Sequence, residues 1–434
     1  MKYRFYNARI LTMDPLFEAG DTAVFNGEVH TKDGQITYVG KSFGWPAGEV
    51  FDREIDCEGN LLMPGFKDAH THSAMTFLRS SADDLPLQEW LTEQVFPYEA
   101  KLTGSDIEIL TRLAILEYYT SGITSIMEMY LDPPAVARAC TDMGMRVVQV
   151  GGVNNFSQSP ELLEEWYLSL NGRHPLSSFA LGFHAEYTCS RELLEKLSAL
   201  AEKYRAPFFA HISETENEVS GCLERYGKTP VDLLCSLGLF DYGGAGYHLV
   251  HTTPDDIAIM KEKGIGVVTN PGSNTKLASG IAPIQTYLDS GLKVAIGTDG
   301  PASNNCLDMF REMFLTAGLG KLLTKDAAAV PAESVLRMAC VNGADIMLLP
   351  DCSCLRAGKK ADMIMIDLAQ PNMQPINNIA CNLVYSGSKA NVKMTMIEGS
   401  IVYDRFDGYA RFDIPYETEE IYRTAQEVRD RILG

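Results

Sequence analysis

The stretch LLMPGFKDAHTH (61–72) stays apolar for most of its length and ends on two imidazoles, His70 and His72. It reads as a buried strand whose last residues reach a polar mouth. The same design recurs downstream, in ITSIMEM (123–129), MRVVQVGG (145–152), FALGFHA (179–185) and APFFAHI (206–212). It continues in AGYHLV (245–250), GIGVVTN (264–270) and LKVAIGTD (292–299). Helical patterns such as DIEILTRLAILEYYTSG (106–122) and SRELLEKLSALAEKY (190–204) separate most of these runs. Strand and helix in alternation predict a parallel sheet. Eight such units predict a (β/α)8 TIM barrel, with its chemistry at the C-terminal ends of the strands.

The flanks have a different texture. YRFYNARIL, DTAVFNGEV and GQITYVG alternate apolar and polar residues between turn signals at Asp33-Gly34 and Pro46. Similar stretches return at ADMIMIDL (361–368), NLVYSG (382–387) and VKMTMIEGSIVYD (392–404). The expectation is a small β-sandwich built from both termini, 1–58 with 355–410, around a barrel at 59–354, followed by a helical segment at 411–434. The chain has 434 residues, 37 basic and 57 acidic, for a formal net charge of −20. That balance repels phosphate backbones, so no nucleic acid polymer and no anionic membrane is expected as a partner. No run of apolar residues is long enough to span a bilayer. The opening MKYRFYNARILTMD carries no apolar signal core, and the ten cysteines are scattered without a C-x-x-C pair. Both features predict a cytoplasmic protein with reduced thiols.

Polar residues that close the apolar runs are the candidates for chemistry. His70 and His72, two apart on a strand, share a face and can reach one ion. His211 closes the fifth run; alone it would read as a hydrogen-bonded core histidine. Glu214 follows three residues later, where a carboxylate can take the proton of a water activated by a metal. His248 lies in the sixth run and can contact a reacting group, whereas His251 reads as a cap for the helix that begins near Thr252 and Pro254. Asp299 closes the eighth run, where it can complete a metal shell, orient water, or simply cap a helix. Taken together these positions point to one divalent ion held by His70, His72, His211 and Asp299. The donor set suits Zn2+, and Fe2+ or Mn2+ is compatible with the same ligand types.

The segments MPGFKDAHTHSAMTFLRSSADDLPLQEWL (63–91), FPYEAKLT (96–103), GFHAEYTCS (182–190), HISETENEV (211–219), NPGSNTKLASGIAP (270–283) and GTDGPASNN (297–305) resemble the amidohydrolase superfamily. Within it they are most similar to the branch of 5′-methylthioadenosine/S-adenosylhomocysteine deaminases. The resemblance implies a metal-dependent hydrolytic deaminase of an adenosine-type nucleoside. It implies His70, His72, His211 and Asp299 as metal ligands, Glu214 as proton shuttle with Asp299 sharing the handling of the water's protons, and His248 as a catalytic group beside the reacting centre. Glu99 is implied at ribose hydroxyls and His184 at the nucleoside. The fourth run has no lysine to bridge a second metal, so one ion is expected. Relatives that accept a homocysteine tail carry an arginine just after the third strand, but Gly151 and Gly152 stand here, with no basic residue between Arg146 and Arg173. Uncharged 5′ groups are therefore the expectation. A different heterocycle (guanine, pterin, cytosine or triazine type) and a non-catalytic scaffold are the other readings. The resemblance also allows a homo-oligomer.

Overall fold

Two sheets carry the architecture, and Gly65 is where the chain passes from one to the other. The computed structural model describes residues 1–17, 20–42, 50–81 and 83–434; the expected turn at Pro46 lies outside them. The run 61–70, expected as one strand, is split. Strand β5 (Leu61–Pro64) joins the small sheet, and β6 (Phe66–Thr71) opens the barrel. A Cβ at Gly65 would lie 2.1 Å from Thr124 Cγ2, so only glycine lets the chain cross this close to the neighbouring strand.

The small sheet draws on both ends of the chain. Its N-terminal strands are β1 (Lys2–Leu11), β2 (Val24–Lys32), β3 (Gln35–Gly40) and β4 (Arg53–Asp56). Between β2 and β3, Asp33 and Gly34 adopt φ of 48° and 84°, as a two-residue hairpin with right-handed strand twist requires. With the barrel strands numbered β6 to β13, the C-terminal strands are β14 (Met363–Ile366), β15 (Val392–Ile397), β16 (Ser400–Asp404) and β17 (Arg411–Phe412). The order is β17-β16-β15-β14-β5-β1-β2-β3, with β4 also on β1. The segment 382–387, expected as a strand, is a helical turn instead (Asn382–Ser386) that buries Leu383 and Val384. Periodicity cannot separate a short apolar run on a strand from one on a helix. Here Asn378 accepts the Cys381 N–H and caps the turn that leads into it, so the helix is nucleated locally.

The barrel strands are β6, β7 (Ile123–Met129), β8 (Arg146–Val150), β9 (Ser177–Ala185), β10 (Phe208–Ile212), β11 (Gly244–His248), β12 (Ile265–Thr269) and β13 (Val294–Ile296). They pair in parallel in chain order. The ring closes where Asp299 N donates to His70 O at 2.9 Å, in a parallel bridge of Thr71 with Asp299. Closure thus joins the two strand ends that carry candidate ligands. The terminal helix Thr418–Leu433 buries Ile421, Ala425, Val428 and Ile432, one face at helical spacing. No helix among the described residues is long and apolar enough to cross a membrane.

Candidate metal centre and substrate cavity

Six side chains converge at the C-terminal mouth of the barrel, from segments far apart in the chain. His70 Nε2 lies 3.1 Å from His211 Nε2 and 3.5 Å from Asp299 Oδ1. His72 Nε2 lies 3.3 Å from the same Asp299 oxygen. His248 Nε2 stands 3.9 Å from Asp299 Oδ2 and 3.8 Å from Glu214 Oε2. The tightest four-donor group is His70, His211, His248 and Asp299, whose ligand atoms all lie within 4.8 Å of one another. His72 borders that group rather than belonging to it.

Backbone geometry aims these groups. Asp299 and His248 sit at φ of 59° and 71°, and Ser213, just past His211, at 53°. Left-handed residues without glycine cost of order 1–3 kcal/mol each and persist where the surroundings dictate them. Here they turn three strand ends into one mouth.

Hydrogen bonds then set the rings. His211 Nδ1 donates to the His184 carbonyl at 2.8 Å, and His72 Nδ1 to the Met129 carbonyl at 2.5 Å. A carbonyl only accepts, so the neutral His211 ring keeps its Nε2 lone pair for the centre, whereas burial opposes charge on His72 but Asp299 outweighs it and holds that imidazole up to about 9. Burial holds His70 down to about 3 and His211 well below the usual imidazole range, so both stay neutral. Burial opposes charge on Asp299 as well, but hydrogen bonds from His70 and His72 outweigh it and keep the carboxylate ionised. Two imidazoles held neutral by burial, a third ring from His248 and one carboxylate, with donor atoms all within 4.8 Å of one another, fit a divalent ion of the zinc type.

Behind the ligands, Asp68 accepts Thr298 N at 2.8 Å and Thr298 Oγ1 at 2.6 Å, and Ser303 Oγ donates to Asp299 Oδ2 at 3.0 Å. These supports carried no sequence signal beyond lying near the ligands. Glu214 is buried, and burial holds its carboxyl above the usual range against the pull of His248.

The centre opens into a cavity of about 740 Å³ lined by Glu99 and His184 among others. Glu99 is buried with Oε1 unpartnered, and burial raises its carboxyl to about 7. His184 Nδ1 contacts Thr188 Oγ1 at 3.0 Å. The outer wall is Leu87, Trp90, Leu91, Phe156, Leu162 and Trp166, and among the described residues no lysine or arginine lines the cavity. His251 does not cap the helix Pro254–Lys263; Thr253 does, in a reciprocal box with Asp256. The His251 ring instead donates Nε2 to the Ser279 carbonyl at 2.7 Å.

The sequence model of the amidohydrolase family matches residues 61–402. The chain is 41% identical over 399 residues to a 5-methylthioadenosine/S-adenosylhomocysteine deaminase of Syntrophomonas wolfei, with 90% of each chain covered. It is 38% identical over 436 residues to a 5′-deoxyadenosine deaminase of Methanosarcina mazei, with 98% of each covered. It is also similar to the crystal structure of an adenosine deaminase from Xanthomonas campestris with bound zinc. There the TM-score is 0.89 at 31% identity, over 99% of this chain and 98% of that one.

Proposed function

The chain belongs to the amidohydrolase family, and on that premise we propose that it is a metal-dependent deaminase of adenosine-type nucleosides with an uncharged 5′ group. The observation that carries this reading is the donor cluster of His70, His211, His248 and Asp299 with Glu214 beside it, set at the foot of a cavity that no lysine or arginine lines among the described residues. His70, His211 and Asp299 of the tightest group, with His72, which shares Asp299 Oδ1 with His70, would hold one divalent ion, zinc by donor type, and leave His248 to face the substrate. When bound, the ion acidifies a water molecule to a pKa of roughly 7.

Glu214 takes a proton from the attacking water and delivers it to the ring nitrogen beside the amino-bearing carbon. An oxygen–carbon bond forms as the carbon–nitrogen double bond opens. His248 Nε2 faces the growing charge and stabilises it. The hydroxyl on the tetrahedral carbon then gives up its proton to the exocyclic amine, a carbon–oxygen double bond forms as the carbon–nitrogen bond breaks, and ammonia leaves. The adenine-type ring becomes a hypoxanthine-type ring. Glu99 receives ribose hydroxyls on its unpartnered oxygen, and His184 contacts the nucleoside.

The 5′ group lies against the apolar outer wall. Glu99, Asp132, Glu214 and Asp299 line the cavity, and away from the metal ligands no lysine or arginine among the described residues faces them, so a carboxylate on the 5′ tail would be buried unpaired, at a cost of several kcal/mol. The relative named for 5′-deoxyadenosine alone supports a neutral group, whereas the Syntrophomonas wolfei relative is named for S-adenosylhomocysteine as well as methylthioadenosine. All ten cysteines are free, in keeping with a reducing cytoplasm.

Ammonia release from the zinc-loaded protein tests the assignment. With methylthioadenosine and 5′-deoxyadenosine, kcat/KM is expected to exceed that for S-adenosylhomocysteine by about 30- to 150-fold, as two to three kcal/mol of unpaired charge implies. Faster turnover of guanine, cytosine or a triazine than of any nucleoside would replace this assignment with another heterocycle.

A further inference from the structure

The segment 270–283 between β12 and β13 supplies none of the reacting groups, yet two of its side chains touch Glu214, which moves the protons, and His248, which faces the developing charge. Asn274, on the short helix Pro271–Lys276, is almost fully buried, with Oδ1 2.7 Å from His248 Nδ1. Ser279, also buried, donates Oγ to Glu214 Oε1 at 3.0 Å. Between them the chain doubles back: Ala278 sits at φ 53°, and Ser279 N donates to Asn274 O at 2.9 Å. The fold-back is pinned from the neighbouring loop, where His251 Nε2 donates to Ser279 O at 2.7 Å and His251 N to Ser213 O at 2.9 Å.

Each contact removes a freedom that proton transfer cannot tolerate. The terminal torsions of Glu and His are broad and nearly two-fold. With Oε1 engaged by Ser279, Glu214 presents Oε2 toward His248. With Nδ1 engaged by Asn274, His248 presents Nε2 toward Glu214 and Asp299. The hold is needed because β11 ends on two consecutive left-handed residues, His248 at 71° and Leu249 at 46°, a conformation that persists only under outside restraint.

We propose that 270–283 is the positioning element for the reacting groups, with Asn274 orienting His248 toward the developing charge and Ser279, anchored by His251, orienting Glu214 for proton transfer. The proposal rests on the deaminase assignment above. It is tested by steady-state kinetics of the full-length zinc-loaded enzyme on 5′-deoxyadenosine, with metal content and thermal melting followed in parallel. Ser279→Ala and Asn274→Ala are each expected to lower kcat about 10- to 100-fold, the scale of a hydrogen bond to a charged or charging group. KM should stay within about threefold and metal content should be unchanged, whereas Ser279→Thr, which keeps the hydroxyl, restores kcat to within about threefold. Because His251 acts through Ser279, the double variant H251A/S279A should be no slower than the slower single variant. Alanine variants within about twofold of wild type in kcat, or a Ser279→Thr enzyme as slow as Ser279→Ala, would overturn the proposal while leaving the deaminase assignment intact. A wild-type enzyme that releases no ammonia from any nucleoside or base would overturn both.

Discussion

Glu214→Gln is expected to retain its metal and lose about 10³- to 10⁴-fold in kcat, at the upper end of what general acid–base catalysis supplies. The substitution keeps size and leaves a carbonyl oxygen to accept from Ser279. It removes the one group that both takes a proton from water and returns it to the ring. Asp299 cannot substitute. Burial disfavours its charge, but the hydrogen bonds of His70 and His72 hold it well below the ordinary carboxylate range, whereas burial holds Glu214 above that range. Two carboxyls pushed apart in this way divide the roles of ligand and acid–base. Because Glu214 lies outside the donor set, metal content by elemental analysis should match wild type and KM should move little. Near-wild-type turnover in this variant would remove Glu214 from the reaction and leave proton transfer without a group.

The residues that close strands were legible because their signal is local. His70 and His72 follow an apolar run directly, His211 and Asp299 end theirs, and a barrel brings strand ends to one mouth. The terminal helix was legible for the same reason: Ile421, Ala425, Val428 and Ile432 repeat at helical spacing within one segment. What escaped depends on distant partners. Gly65 looks like one residue in an apolar run until Thr124 is placed against it. The segment 382–387 has strand-like composition, and a capping asparagine upstream decides otherwise. His251 stands near a helix start, but Thr253 is already the cap, and the ring's partner lies 28 residues on at Ser279. Asn274 and Ser279 are ordinary loop residues in sequence, and only their contacts with His248 and Glu214 distinguish them.

Asp362→Asn is expected to destabilise the fold by about 3–5 kcal/mol, the scale on which one partner of a buried ion pair is lost. Arg146, on β8 of the barrel, reaches Asp362, just before β14 of the small sheet, with two hydrogen bonds of 2.6 and 3.0 Å. Both side chains are buried at 4% and 0% exposure, so neither finds water when the other is removed. The same guanidinium contacts Glu398 and the Pro175 carbonyl, and Glu398 N donates to Asp362 at 2.7 Å. One cation therefore ties the barrel to the sheet assembled from the chain ends. Replacing both residues by apolar ones of similar size, as in R146M/D362L, should recover much of the loss, because the penalty comes from the charge left unpaired. The sign with pH follows from the carboxyl. Burial alone would raise the Asp362 value, but the Arg146 charge and hydrogen bonds outweigh it and hold it below the ordinary range. The pair's contribution is then complete above the unfolded carboxyl value of about 3.9 and is lost as pH falls through the lower folded value. Urea melts across that window should show wild type losing stability on acidification more steeply than Asp362→Asn, which has no carboxyl to titrate there. Parallel slopes for the two proteins would mean that Asp362 is not held ionised by Arg146.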